Sequence, residues 1–318
     1  MENKRLMEKK LSPVAVILLA AISAGAPRAN AQWSLPDDTA SYAILYEGSG
    51  ANHNLTVNTP PVSNQYGTYT VNGNIGLGNL NSGTPNFAYG NGILVNGAVN
   101  FAGAILNGGA GGTPTITGGQ HANVAQVDTD LLDLNSLSAT VRAYAGASLP
   151  INTGGSGGSQ TVPANSGNLV NGNYVFNVTS LAFNANTTLI INGDGSVPVI
   201  INFNQGVLPN PHLNGGITLT GGLTEDQVLF NFVGGNSMTL SLGPTDQIAA
   251  NGAEQHGTFL DPNGAITTSS VNIVGHLFGG DSSNLQFVSG STISTVPEPG
   301  SLALGAVGLL MVAIRRRK

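Results

Sequence analysis

The chain has 318 residues, no cysteine, ten Lys and Arg against sixteen Asp and Glu, and a formal net charge of −6. The cations crowd the two ends (Lys4, Arg5, Lys9, Lys10, Arg28; Arg315, Arg316, Arg317, Lys318). Residues 32–295 therefore carry 13 acids against Arg142 alone, a formal charge of −12. That balance excludes nucleic acid and anionic lipid as main partners, since phosphate finds no cations to pair with. The absence of cysteine excludes a disulfide framework and any thiolate ligand or nucleophile.

Residues 1–31 have the three parts of an export signal. A basic start is followed by an apolar core from Val14 to Ile22 and by Ala29-Asn30-Ala31, a small-x-small cleavage site. Cleavage after Ala31 by signal peptidase leaves Gln32 as the expected mature N-terminus. Beyond it the composition turns to Gly, Asn, Thr and Ser, poor for helices and suited to short strands between tight turns.

Tyr42 to Tyr46 reads as a first buried strand, followed by Leu55-Thr56-Val57, Tyr69 to Gly76, and Ile93 to Val99. Nine Asn-Gly pairs punctuate the body, beginning at Asn72, Asn91, Asn96, Asn107, Asn171, Asn192, Asn214, Asn251 and Asn263. They supply the positive φ that tight turns need. Several recur about 20 residues apart, which suits the coils of a β-solenoid. A β-sandwich is the competing reading.

One segment departs from this pattern. From His121 to Tyr144, the residues Val124, Val127, Leu131, Leu134 and Val141 form one apolar stripe at helical spacing, so an amphipathic helix is expected over about 121–145. Residues 148–168, rich in Gly, Ser, Pro and Asn, read as an exposed loop. Strand-length runs then follow one another from Asn173 to Val288. The expected fold is all-β: a right-handed parallel β-solenoid over residues 32–295 with the helix packed alongside.

These elements resemble a known layout. The segments Val71 to Gly76, Gly172-Asn173-Tyr174-Val175-Phe176, Leu229-Phe230-Asn231-Phe232, His256 to Ala265 and Ile273 to Leu277 resemble the choice-of-anchor A domain of bacterial surface proteins. The arrangement is also similar to ice-binding-like solenoids. Gly264, between Asn263 and Ala265, and Asp261 depart from that pattern. The resemblance implies a fold and a surface context, and brings no catalytic residue with it.

The last 23 residues contain Val296-Pro297-Glu298-Pro299, a short apolar run from Leu302 to Ile314, and Arg315-Arg316-Arg317-Lys318. This order resembles the PEP-CTERM sorting signal, which implies processing by an exosortase-type membrane enzyme. The apolar run is shorter than the roughly 20 residues of a stable span, which suits a transient membrane helix. The resemblance implies export, a transient stay in the inner membrane, and delivery to the cell surface or extracellular matrix.

Chemistry is sparse. Asp194, Asp246, Glu254, Asp261 and Asp281 are the candidate carboxylates for a polysaccharide-active enzyme, but they are scattered through turn-rich sequence. The five histidines show no metal-ligand spacing. Asp246 with Glu254, or Asp128 with Asp130, are candidate oxygen ligands for a structural calcium, without a calcium-loop motif. No cofactor is expected. Thr68/Thr70, Thr115/Thr117 and Thr218/Thr220 are the Thr-x-Thr pairs from which an ice-binding face would be built. Tyr66, Tyr69 and Tyr89 are candidate sugar-stacking rings. The expected function is a non-enzymatic surface or matrix protein with a structural or adhesive role in exopolysaccharide and biofilm. Ice binding and a polysaccharide-active enzyme are the alternatives.

Overall fold

A computed structural model describes residues 32–36, 38–48, 54–57, 69–80, 85–89, 93–108, 113–204, 206–235, 237–241, 254–279, 284–288 and 291–295. The expected signal peptide, with Ala29 and Ala31, lies outside the described residues. So does the expected sorting segment, with Val296, Pro297, Glu298, Pro299, Arg315, Arg316 and Arg317.

Short strands rich in Val, Ile, Phe and Thr stack in parallel on three faces of a coil, and the single antiparallel pair among the named strands joins Asn168–Val170 to Asn173–Ala182. There Asn171 (φ 47°) and Gly172 (φ 76°) supply two successive positive φ values, the requirement of a two-residue hairpin turn. Elsewhere each strand pairs with its counterpart one coil away.

The first face carries, in spatial order, Gln120–His121, Val99–Phe101, Asn74–Leu77, Tyr42–Tyr46, the C-terminal halves of Asn272–Gly279 and Glu254–Asp261, then Val228–Val233, Val199–Asn204, Asn173–Ala182 and Ala147–Asn152. A second face runs beside it. It is built from Thr115–Ile116, Leu94–Asn96, Thr70–Asn72, Thr292–Ser294, the N-terminal halves of the two long strands, Gly216–Thr220, Thr188–Asn192 and Ser159–Pro163. A third, shorter face holds Asn86–Tyr89, Asn54–Val57, Leu285–Val288, Ile266–Ser269, Met238–Ser241 and His212–Leu213.

Chain order and spatial order differ. The chain starts near the middle of the stack at Tyr42–Tyr46, winds to one end at Gln120–His121, and is carried to the far end by the helix. It then winds back until Asn272–Gly279 pairs with Tyr42–Tyr46 and Thr292–Ser294 pairs with Thr70–Asn72.

The interior is filled by like residues in register. Phe176, Ile201, Phe230, Phe259, Leu277, Ile44, Ile75 and Val99 form one continuous column, each in register with the next. Phe230 stacks on Phe259 at 5.0 Å and Phe203 on Phe232 at 4.6 Å. Each such buried side chain contributes roughly 1.5–3 kcal/mol of apolar burial. Where the first and second faces meet, Gly275 (φ 132°) sits over Gly257, and a Cβ there would lie 2.1 Å from the Gly257 carbonyl oxygen. The coils can approach at that corner because no side chain intervenes.

The helix spans Gln126–Arg142, inside the expected window, while His121 belongs to a strand and Ala122–Ala125 precede the first turn. Val127, Leu131, Leu134 and Val141 face the sheet with Val175, Ile200, Leu229, Leu260 and Phe278. Its C-terminal half is also fastened by a buried amide ladder. Asn231 Nδ2 donates to Asn202 Oδ1 (2.9 Å), Ser138 Oγ donates to Asn231 Oδ1 (2.6 Å), and Asn202 Nδ2 donates to the Val141 carbonyl (3.0 Å).

Residues 148–168 correct the expected loop: Ala147–Asn152 and Ser159–Pro163 are strands of the terminal coil. Pro150 is tolerated because its strand is at the end of the stack, pairing on one side only, with Asn173–Ala182. The Gly- and Ser-rich stretch is the turn from Thr153 to Gly158 between them.

Candidate functional site

The alternation of each strand sends one set of side chains into the core and the other to solvent. On the second face Val71, Val95, Ile273, Ile293, Leu189 and Ile217 point inward, all 2 % exposed or less. Their neighbours Thr70, Asn72, Asn96, Asn272, Thr292, Ser294, Thr188 and Thr218 make two outward rows. Hydrogen bonds run along these rows: Asn96 Nδ2 to Asn72 Oδ1 (2.7 Å), Asn72 Nδ2 to Ser294 Oγ (2.8 Å), Thr292 Oγ1 to Asn272 Oδ1, and Asn272 Nδ2 to Glu254 Oε1 (2.6 Å). Thr70, Thr115 and Thr218, from three separate Thr-x-Thr pairs, stand on this one face, whereas Thr68 lies outside the described residues.

Charge interrupts the rows at mid-stack. His256 is held between two carboxylates, with Nδ1 2.8 Å from Glu225 Oε1 and Nε2 3.1 Å from Glu254 Oε2. The hydrogen bond to Glu225 raises the His256 pKa above its ordinary value against the opposing effect of burial, and the same bond lowers that of Glu225. Thr224 sets this up. With Gln227 it forms a capping box around the short turn Glu225–Gln227, and Gln227 Nε2 donates to the Gly195 carbonyl (2.6 Å). The next residue, Asp226, reaches a second histidine: His276, 1 % exposed, has Nε2 3.0 Å from Asp226 Oδ1 and Nδ1 2.7 Å from the Tyr42 carbonyl oxygen.

Both nitrogens of each ring are thus engaged by acceptors. His256 and Glu225 form an ion pair on the second face, and Asp226, the next residue, carries the contact on to His276 on the first.

The candidate carboxylates are separated. Asp194 is in an exposed turn, accepting from Ser196 N and Oγ, which lower its pKa. Asp261 is fully buried at the end of its strand, Glu254 is committed to Asn272 and His256, and Asp246 and Asp281 lie outside the described residues. Asp128 Oδ1 accepts the Asn79 backbone N–H at 2.6 Å, while Asp130 is 1 % exposed and burial pushes its carboxyl up against the Gln126 hydrogen bond. Among the described residues no group of three or more His, Asp and Glu could hold a metal ion. Tyr69, a candidate stacking ring, is instead buried in the core, Tyr89 packs on Phe87 at 5.4 Å, and Tyr66 lies outside the described residues. Nor is any helix among the described residues long and apolar enough to cross a membrane.

The two histidine pairings join residues 31 and 50 positions apart, so no local motif announces them. The readable signal is the Thr224-x-x-Gln227 cap.

The coil, its hydrogen-bonding rows and its docked helix define a parallel β-solenoid with stacked side-chain ladders on its second face. The chain belongs to the ice-binding-like adhesive domain family, whose model matches residues 38–289. Residues 295–318 match the PEP-CTERM protein-sorting motif, which marks an exported protein sorted to the cell surface and implies exosortase processing. No curated protein matches. Among solved structures, the chain is similar to the ice-binding protein of the Antarctic ascomycete Antarctomyces psychrotrophicus (16 % identity, TM-score 0.46, 84 % of this chain and 100 % of that one). It is also similar to an ice-binding protein from an Antarctic biological consortium (14 %, 0.48, 83 % and 92 %) and to an ice-binding protein domain of Shewanella frigidimarina (13 %, 0.47, 84 % and 99 %).

Proposed function

We propose that this protein is a non-enzymatic adhesive element of the exopolysaccharide matrix, a right-handed solenoid delivered outside the cell by removal of residues 1–31 and by exosortase cleavage near Val296-Pro297-Glu298-Pro299. The observation that carries the reading is the pair of outward rows on the second face. Amide and hydroxyl groups are held at the spacing of parallel strands, roughly 4.8 Å, by a rigid core. Such rows offer many weak, repeated hydrogen bonds to a polyol chain, and repetition supplies the avidity that single contacts lack. The formal charge of −12 on residues 32–295 keeps the body as a whole from collapsing onto anionic polymer.

Thr70, Thr115 and Thr218 on one face favour ice binding as a second reading. Against it stand Glu254, His256 and Ile190, which break the small-residue rows. Retention of the processed protein on the producer's own polymer, with mass spectrometry of its termini, tests the first reading. Its loss into the wash, or a mature chain that still carries residues 296–318, rejects it. Growth-arrested, faceted ice crystals in the presence of the protein would establish the second reading.

A further inference from the structure

The body holds one permanent cation, and it stands at a groove. Arg142 is exposed at the end of the helix and lines an open groove of about 420 Å³ together with Asn177, Thr179, Asn202 and Asn204. A second groove, of about 310 Å³, continues from it toward Asn210, His212 and Asn214. Val207, 63 % exposed, belongs to both, so the two form one trough with an apolar step in its middle.

Three features of this trough point the same way. Among the described residues neither half is lined by an Asp or Glu, although residues 32–295 contain 13. Arg142 makes no ion pair among the described residues, where the pairs are those of His256 and His276. The side-chain amide nitrogens of Asn204, Asn210 and Asn214 make no hydrogen bond to another described residue, while their carbonyl oxygens accept from Gly206 N, Ser237 N and Ser241 Oγ. The open hydrogen-bonding capacity of the trough is therefore weighted toward donors.

A helix end accounts for a cation only if its carbonyls need one. Here two of the last four are supplied: Thr140 O accepts from Ala143 N (3.2 Å), and Val141 O accepts from both Tyr144 N (3.2 Å) and Asn202 Nδ2 (3.0 Å). Arg142 is left to line the trough.

We propose that this trough is a binding site for a carboxylate-bearing oligosaccharide, with Arg142 taking a uronate carboxylate. Planar guanidinium and planar carboxylate match as a two-bond fork. The amide nitrogens of Asn204, Asn210 and Asn214 donate to ring and hydroxyl oxygens farther along the chain, and Val207 meets the C–H face of a sugar ring. The site deepens the adhesive reading and rests on it. The body's general negative charge rejects polyanions non-specifically, and one acid-free trough admits a chosen one.

The test uses the full chain in mild detergent and three probes of equal length: hexagalacturonate, its fully methyl-esterified form, and hexaglutamate. The acid hexasaccharide binds best, and Arg142→Gln weakens it at least tenfold, far more than it weakens the ester. Val207→Asp, which places a carboxylate in the trough at an exposed position, weakens the acid hexasaccharide to a similar degree. Both variants melt at the wild-type temperature. Equal affinity for acid and ester, an unchanged affinity in Arg142→Gln, hexaglutamate binding as tightly as the sugar, or no binding of any probe overturns the proposal. Retention of wild type and Arg142→Gln on the producer's polymer is measured alongside. Retention of both with no uronate selectivity removes this site and leaves the adhesive reading standing.

Discussion

Replacing Asn231 by alanine tests whether the helix is held to the coil by the amide ladder as well as by its apolar stripe. Asn231 is fully buried, accepts from Ser138 Oγ at 2.6 Å and donates to Asn202 Oδ1 at 2.9 Å and to Ser138 O at 3.3 Å. The truncation orphans a buried hydroxyl and a buried amide oxygen, each at a cost of about 1–3 kcal/mol. We expect a loss of about 3 kcal/mol in urea unfolding. Ser138→Ala removes one of the same bonds, so the double variant loses less than the sum of the singles, with a coupling of about 1–2 kcal/mol. Amide exchange locates the effect: protection falls first over residues 126–142, while the interior strands Val199–Asn204 and Val228–Val233 keep theirs. A loss under about 1 kcal/mol, or uniform loss of protection, refutes the ladder as the helix's fastening.

Two further outcomes follow from the corner and the acid–histidine cluster. The raised His256 pKa contributes stability that is complete below its ordinary value, 6.5, and disappears as pH rises through the folded-state value. The lowered Glu225 pKa contributes stability that is complete above its ordinary value, 4.5, and disappears as pH falls through its folded-state value. The pair therefore contributes fully between about pH 4.5 and 6.5, and Glu225→Gln should flatten the fall in unfolding midpoint that wild type shows as pH rises above 6.5; identical slopes in the two proteins contradict the pairing. Gly275→Ala forces a Cβ to 2.1 Å from the Gly257 carbonyl at a φ of 132°, so the coils must separate locally. Its melting temperature should drop well below that of Gly155→Ala, a glycine with open space around its Cβ position, and equal melting temperatures would sink the close-approach argument.

The parts of this architecture that can be read from sequence are those set by local chemistry. Tyr42–Tyr46 is a strand because five consecutive residues suit a fully buried one, and all five are buried. Asn171-Gly172 turns a hairpin because both tolerate positive φ. The helical stripe is visible because its 3.6-residue period differs from everything around it. The segment 148–168 misleads for an equally physical reason: in a terminal coil one side of each strand has no partner, so Pro150 and the flanking Gly and Ser are permitted where an inner strand would reject them. The histidine cluster and the trough at Arg142 are assembled from separate coils. Their residues become neighbours through stacking, which composition and spacing do not specify.

The meeting of the first and last coils has a mechanical consequence. Thr295, the final described residue, donates from its backbone N–H to the Asn72 carbonyl near the middle of the stack. An attachment made just after Thr295 therefore holds the coil near its middle, on the second face, and leaves both tips clear. Tension on that joint is borne by Thr292–Ser294, which is paired to Thr70–Asn72 on one side and to Asn272–Gly279 on the other. Such a crossbar can meet polymer at either tip without turning.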